Sequence, residues 1–223
     1  MTDPLDRPVW SCLTGAQAAL ARGGPAAVRI DPGYGPFGAA RDRGAQALAA
    51  LAELVEEPTW LVETEAWPAP PGTTVIREAK LAQMVADDSP AREAAAPGIV
   101  ALGEADAPAM RTLAEAMQPG PWSSRTHRYG QFYGIRDQGR LVAMAGERMR
   151  PPGFAEVSGV CTDPAYRGRG YAAALMLRVM AGLRARGLTP FLHAYADNAG
   201  ALALYETLGF RLRRVMIGTV IGR

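Results

Sequence analysis

The stretch Val160-Cys161-Thr162-Asp163-Pro164-Ala165-Tyr166-Arg167-Gly168-Arg169-Gly170-Tyr171-Ala172 constrains this chain more than any other, because it carries an apolar strand into a helix through a basic, glycine-punctuated turn. Gly168 and Gly170 have no Cβ, so the backbone there can take positive φ and approach a ligand closely. The N–H groups that open the following helix have no intrahelical partner. Those amides, the helix dipole and the guanidinium groups of Arg167 and Arg169 all favour phosphate at one point. The spacing is neither Gly-x-x-x-x-Gly-Lys-Ser/Thr nor Gly-x-Gly-x-x-Gly, so the turn is neither a P-loop nor a dinucleotide fingerprint.

Residues 171–186 place Leu175, Val179 and Leu183 at steps of four, with Ala172, Met176 and Met180 on a neighbouring row, which predicts a helix with one broad apolar face. Gly187 is its C-terminal stop. Residues 190–195 predict a buried strand, so strand, crossover helix and strand form a βαβ unit with parallel strands. Asn198 then caps a second helix with Ala201, Leu204, Tyr205 and Leu208 on one face; Gly209 ends it, and residues 210–216 predict a further strand.

Upstream, residues 99–102 read as a strand and 106–117 as an amphipathic helix. Three β-prone runs follow, 131–136, 140–149 and 154–162, separated by turn signals at Gln138-Gly139 and Pro151-Pro152-Gly153, which predicts an antiparallel meander. The first 96 residues form a different region. Helical texture covers 10–22 and 41–57, strands are expected at 26–30, 59–62 and 73–85, and 87–98, rich in Ala, Pro and charge, is the expected linker.

Arg167-x-x-Gly170-x-Ala172 after Val-Cys-Thr resembles the acetyl-CoA pyrophosphate loop of the GNAT superfamily of N-acyltransferases, and Asn198-x-x-Ala201-x-x-Leu204-Tyr205-x-x-Leu208-Gly209-Phe210 resembles its second signature. The resemblance covers residues 97–223 and implies an α/β fold, a mixed sheet of α+β character with helices on both faces, carrying an additional α/β region over 1–96. That region is expected to be a degenerate second half or a lid, with Tyr34, Phe37, Trp67 and Met84 as candidate walls of an acceptor pocket and core packing as the competing role of each. In the family the two parallel strands part beyond the loop and the pantetheine arm enters the gap. The implied cofactor set here is Val160, Cys161 and Thr162 on the strand, Arg167, Gly168, Arg169, Gly170, Tyr171 and Ala172 in the loop, and Asn198 on the arm. The implied reaction moves an acetyl group from acetyl-CoA, as cosubstrate, to a primary amine of a small molecule, peptide or protein by direct attack in a ternary complex. The alternative is a catalytically silent acyl-CoA-binding domain acting as sensor or interaction module.

An amine is protonated near neutrality, so a base or water relay must take its proton, and the departing thiolate needs one. Glu156, eleven positions before Arg167 where the histone-acetyltransferase branch carries its base, is the first candidate base; Glu147 on the adjacent strand is the second. For either, an ion pair with an arginine such as Arg148 is the competing explanation. Tyr205 is the candidate acid. Cys161 reads as a small strand hydrophobe rather than a nucleophile, and His127 and His193 lack metal spacing, so no metal is expected.

Composition limits the remaining classes. A formal charge of +2 with scattered arginines offers no nucleic-acid tract. Two distant cysteines, no leader-like segment and no run of 18 apolar residues point to a cytoplasmic protein that neither enters a membrane nor relies on disulfides. A homodimer is compatible with this reading. One lysine, Lys80, among 24 basic residues, with much Ala, Gly and Pro, suggests a GC-rich bacterial genome.

Overall fold

The computed structural model describes residues 3–87 and 98–223. Three short strands near the start, β1 (Ala21–Gly23), β2 (Ala27–Ile30) and β3 (Gly38–Ala40), form a small antiparallel sheet beside the helices α1 (Pro8–Leu13) and α2 (Ala45–Leu54). The helix expected over 10–22 is thus shorter than its texture suggests. Gly15 ends it: a Cβ there would lie 2.7 Å from the carbonyl oxygen of Ser11.

The remaining strands make one eight-stranded sheet: β4 (Thr59–Glu63), β5 (Thr74–Ala86), β6 (Ile99–Leu102), β7 (Phe132–Asp137), β8 (Arg140–Glu147), β9 (Phe154–Thr162), β10 (Thr189–Tyr195) and β11 (Phe210–Gly222), in the spatial order β4-β11-β5-β10-β9-β8-β7-β6. Helices α3 (Ala107–Met117), α4 (Tyr171–Ala185) and α5 (Ala199–Thr207) connect or flank them. The mixed α/β class, the meander and the strand–helix–strand unit follow the periodicity of the sequence. The last strand runs past residue 216 to Gly222, because Gly218 is where β11 passes closely over Leu81 and Trp60, a contact rather than a break.

The sheet crosses the boundary drawn between residues 96 and 97. β4 and β5 both precede it, yet β5 lies between β10 and β11 and pairs antiparallel with each. Periodicity identifies a strand but not its partners, so this insertion is invisible in the chain. Of the expected linker, residues 88–97 lie outside the described residues.

Three apolar layers close the sheet. On one face α4 buries Leu175, Met176, Val179, Met180 and Leu183 against Val142, Ala143, Ala155 and Val157; each such side chain contributes roughly 1.5–3 kcal/mol relative to exposure. On the other, α3 sets Met110, Leu113 and Ala114 against Phe132, Leu141 and Met144, while α1 covers Leu81, Phe191 and Met216 with Val9, Cys12 and Leu13. Among the described residues no helix is long and apolar enough to cross a membrane.

The feature that positions the site is the parting of β9 and β10. They run parallel only from Thr189 opposite Phe154 to Phe191 opposite Glu156. Beyond that point β10 stays bonded to β5, Leu192 facing Met84 and Tyr195 facing Leu81, while β9 stays bonded to β8. A register shift between Met144 and Gly146 bends β9 further. Gly159, at φ +64°, occupies that bulge, where a Cβ would sit 2.9 Å from the Phe132 ring. Gly159→Ala is expected to cost about 1–3 kcal/mol, read as a lower urea midpoint at unchanged slope.

Candidate active site

The turn after β9 is held by its own side chains. Asp163 accepts from the N–H of Ala165 at 2.9 Å and from Arg140 Nη1 at 2.8 Å. Tyr166 donates its hydroxyl to Asp137 and carries Arg140 and Arg169 over its ring at 5.5 and 4.8 Å. Gly170 is the residue before α4, at φ +75°, and the first helical bond runs from Ala174 N–H to its carbonyl at 3.0 Å. The earlier amides of the helix therefore point outward without an intrahelical acceptor. A Cβ on Gly168 or Gly170 would meet no protein atom within 4 Å; the glycines are needed for the turn's backbone, and the space before them is open.

That space is a cavity of about 410 Å³ lined by the turn, the end of β9 and the start of α5. Val160, Cys161, Thr162, Arg167, Gly168, Gly170, Tyr171, Ala172 and Asn198 all line it. Arg169 does not; its guanidinium stacks on Tyr166 instead. Thr162 Oγ1 is buried without a protein partner, and the β9 edge that β10 has left lies alongside. A site with anion-binding amides at one end and unpaired strand groups at the other suits an elongated ligand ending in phosphate. Burial pushes the Cys161 thiol up to about 12, so it lines the cavity as an apolar wall and not as a thiolate.

A second cavity of about 300 Å³ lies across the parted strands. It shares Met117, Val160, Asn198 and Tyr205 with the first, and its walls include Phe37, Trp60, Leu81, Leu192 and Tyr195. Of the four walls expected from the first 96 residues, Phe37 is present; Tyr34, Trp67 and Met84 pack elsewhere. Trp60 and Leu81 escape a reading of the sequence because they reach the cavity only through the pairing of β4 and β5 with β11. Asn198 Oδ1 accepts from Ala201 N–H at 3.1 Å and caps α5, which leaves its amide nitrogen for the cavity. Tyr205 stands at the junction, its ring edge-on to Phe210 at 6.3 Å. Burial raises its pKa above the ordinary phenol value, so the hydroxyl holds its proton.

The two glutamates expected as bases line neither cavity. Glu156 is 0 % exposed. Arg148 donates to it twice, Nε to Oε2 at 2.8 Å and Nη2 to Oε1 at 2.7 Å, and His193 Nδ1 lies 2.8 Å from Oε1. Burial alone would raise its pKa; the Arg148 charge, the Arg148 hydrogen bonds and the contact with His193 outweigh it and hold the carboxyl well below the usual range. His193 Nε2 lies 3.1 Å from the Gln83 amide nitrogen, which also donates to Leu5 O, while Gln83 Oε1 accepts from Arg213. This arrangement assigns the Nδ1–H tautomer to His193, with Nε2 accepting from Gln83. Glu147 is buried at the far end of β8, where Oε1 accepts from Arg186 at 2.6 Å and Oε2 lies beside Gly130 without a partner. Pairing with Arg148, the competing explanation for a strand glutamate, is thus what Glu156 does, in the core rather than at the surface. His193, set aside in the sequence for want of a metal partner, lines the second cavity.

Removing Arg148 would leave Glu156 charged and buried, so Arg148→Ala is expected to lose about 3–5 kcal/mol of stability, measured by denaturant unfolding. Because the Glu156 pKa is lower folded than unfolded, its contribution is complete above the ordinary value of 4.5 and fades as pH falls below it. The wild type is expected to lose stability below pH 4.5 with a slope that Glu156→Gln reduces.

A family model described as FR47-like protein matches residues 132–217, which run from β7 into β11 and include the turn and, of the residues shared by both cavities, Val160, Asn198 and Tyr205. The [Ribosomal protein bS18]-alanine N-acetyltransferase of Escherichia coli strain K12 is 32% identical over 135 residues, covering 56% of this chain and 90% of that protein. A mycothiol acetyltransferase of Thermomonospora curvata is 39% identical over 97 residues, covering 43% of this chain and 31% of that protein. A crystal structure from Novosphingobium aromaticivorans, assigned as an acetyltransferase of the GNAT family, is 56% identical, covers 99% of each chain and superimposes with a TM-score of 0.93. GNAT acetyltransferases use acetyl-CoA as acyl donor. With the parted strands, the glycine turn and these relatives in agreement, the chain belongs to the GNAT family of N-acetyltransferases.

Proposed function

We propose that this protein moves an acetyl group from acetyl-CoA to a primary amine within a ternary complex. The observation that carries the reading is the meeting of two cavities at Tyr205, one ending in the anion-binding turn and the other walled by Phe37, β4, β5 and the parted ends of β9 and β10. The residues of the first cavity suit coenzyme A. The amides and guanidinium at 167–172 would take the diphosphate, the freed edge of β9 at Val160, Cys161 and Thr162 would bond the pantetheine amides, and Asn198 would hold the arm from the opposite side. Bound there, acetyl-CoA supplies an activated thioester.

The chain's own groups then orient and protonate. The edge of β9 offers main-chain donors where negative charge develops, preset in a cleft where they need no reorganisation. Tyr205, a neutral phenol bonded to no other described residue, would carry the proton for the departing sulfur. Glu156 holds Arg148 and His193 in place beneath the second cavity and so keeps the parted strands in register. The acceptor is an amine of a small molecule, peptide or protein. The relatives named for a ribosomal-protein alanine and for mycothiol fit that breadth.

Two substitutions test the reading. Gly170→Glu strains the turn and sets a carboxylate where phosphate would bind, so calorimetry is expected to detect no CoA association; binding at wild-type strength sinks the proposal. Tyr205→Phe is expected to lower turnover by about 10²-fold or more while changing CoA affinity less than about threefold. Equal turnover removes Tyr205 from the chemistry.

A further inference from the structure

We infer that the acceptor is an amine that binds in its neutral form, one with an appreciable neutral fraction near pH 7 and carried on an apolar or aromatic group, an α-amine or aryl amine rather than a lysine-type side chain. The inference rests on the N-acetyltransferase reading above and concerns the second cavity alone.

Among the described residues lining that cavity there is no aspartate or glutamate. Its titratable groups are Arg148, His193, Tyr195 and Tyr205. Arg148 is bound to Glu156 through both of its donors there. His193 has Nδ1 against Glu156 and Nε2 against Gln83, so neither ring nitrogen is open to a proton from the cavity. Tyr195, 37% exposed at the mouth, and Tyr205 are phenols, proton donors rather than acceptors at neutral pH. An incoming ammonium would therefore find no anion to pair with and no base to relieve it, and burying it unpaired is costly.

Aromatic faces can substitute for an anion by attracting a cation. Here that attraction is already taken. Arg148 lies 4.9 Å over Phe37, and Arg77 lies 5.9 Å over Trp60 and 5.1 Å over Tyr195. The cavity offers these rings to the ligand as apolar walls whose cation-attracting faces are already occupied.

A neutral amine makes this chemistry self-consistent. Its lone pair forms the new N–C bond, the C–S pair leaves on sulfur with the proton of Tyr205, and the proton shed by the nitrogen restores Tyr205. One proton is lost and one gained, so no further base is required. The rate then follows the neutral fraction of the acceptor. With pKa values of about 7.7–8.0 for an α-amine and about 10.4 for a lysine side chain, that fraction differs by about 200–400-fold at pH 7.

The test compares phenylalaninamide with N-α-acetyllysinamide. Acetylated product is followed from pH 6 to 10, and binding to the CoA-loaded protein is followed by calorimetry in buffers of different ionisation heat. The expected results are a preference of at least about 200-fold for phenylalaninamide at pH 7, a kcat/KM profile that levels at each amine's own pKa, and proton release on binding. Ser158→Asp, at a half-buried position in the cavity wall, is expected to reduce that preference by about tenfold or more by giving an ammonium a partner. Equal use of both amines at pH 7, a profile breaking at one pH shared by both, no binding of phenylalaninamide to the CoA-loaded protein, or unchanged preference in Ser158→Asp overturns the inference and leaves the N-acetyltransferase reading standing. Absence of CoA binding in the same calorimeter overturns that reading, and this inference with it.

Discussion

The separation of β9 from β10 is the constraint on which the rest of the molecule depends. Two parallel strands that stay paired leave no gap, and two that simply part expose ladders of unsatisfied backbone groups. Here each strand keeps a partner on its outer side, β8 for β9 and β5 for β10. Only the inner edges are left bare, and there a ligand's amides can complete the ladder. The strand that keeps β10 bonded, Thr74–Ala86, comes from the first 96 residues, so that region belongs to the site's framework and is no mere appendage.

At the last shared pair before the gap lies Glu156. Its carboxylate joins Arg148 of the neighbouring hairpin to His193 of β10, and through Gln83 the network reaches β5, Arg213 of β11 and the carbonyl of Leu5 near the start of the chain. A satisfied buried network of this kind favours one arrangement over alternatives, because any shift strands a charge in the core. It also accounts for the character of the second cavity. The groups that look suited to acid–base work are consumed in holding the strands apart, which leaves apolar walls and a single phenol at the junction.

Much of this was legible before the fold was known. The glycine turn, the helix after it, Asn198 as a cap and Tyr205 on the same helix face are local features, and local features follow from steric limits and periodicity within a few residues. That is why most of the residues expected to hold the cofactor line one cavity. Arg169 departs from the expectation because the rings and cations around it, Tyr166 and Arg140, decide its direction, and spacing carries no information about stacking. The wall residues Trp60 and Leu81 were hidden for a related reason: strands adjacent in space are distant in the chain.

The sequence by itself determined the strand–turn–helix with its outward-facing amides, the order of the secondary elements and the family, since each depends on residues within a helical turn or hairpin of one another. The tertiary structure alone decided that β5 enters the sheet beside β10, that Glu156 and Glu147 are buried with arginines instead of facing a cavity, and that Phe37, Trp60 and Tyr195 meet in the walls of the second cavity. Those outcomes turn on burial and on long-range pairing. A carboxylate on a strand has the same sequence signature whether it faces a cleft or a guanidinium, and only the partner that arrives across the sheet distinguishes the two.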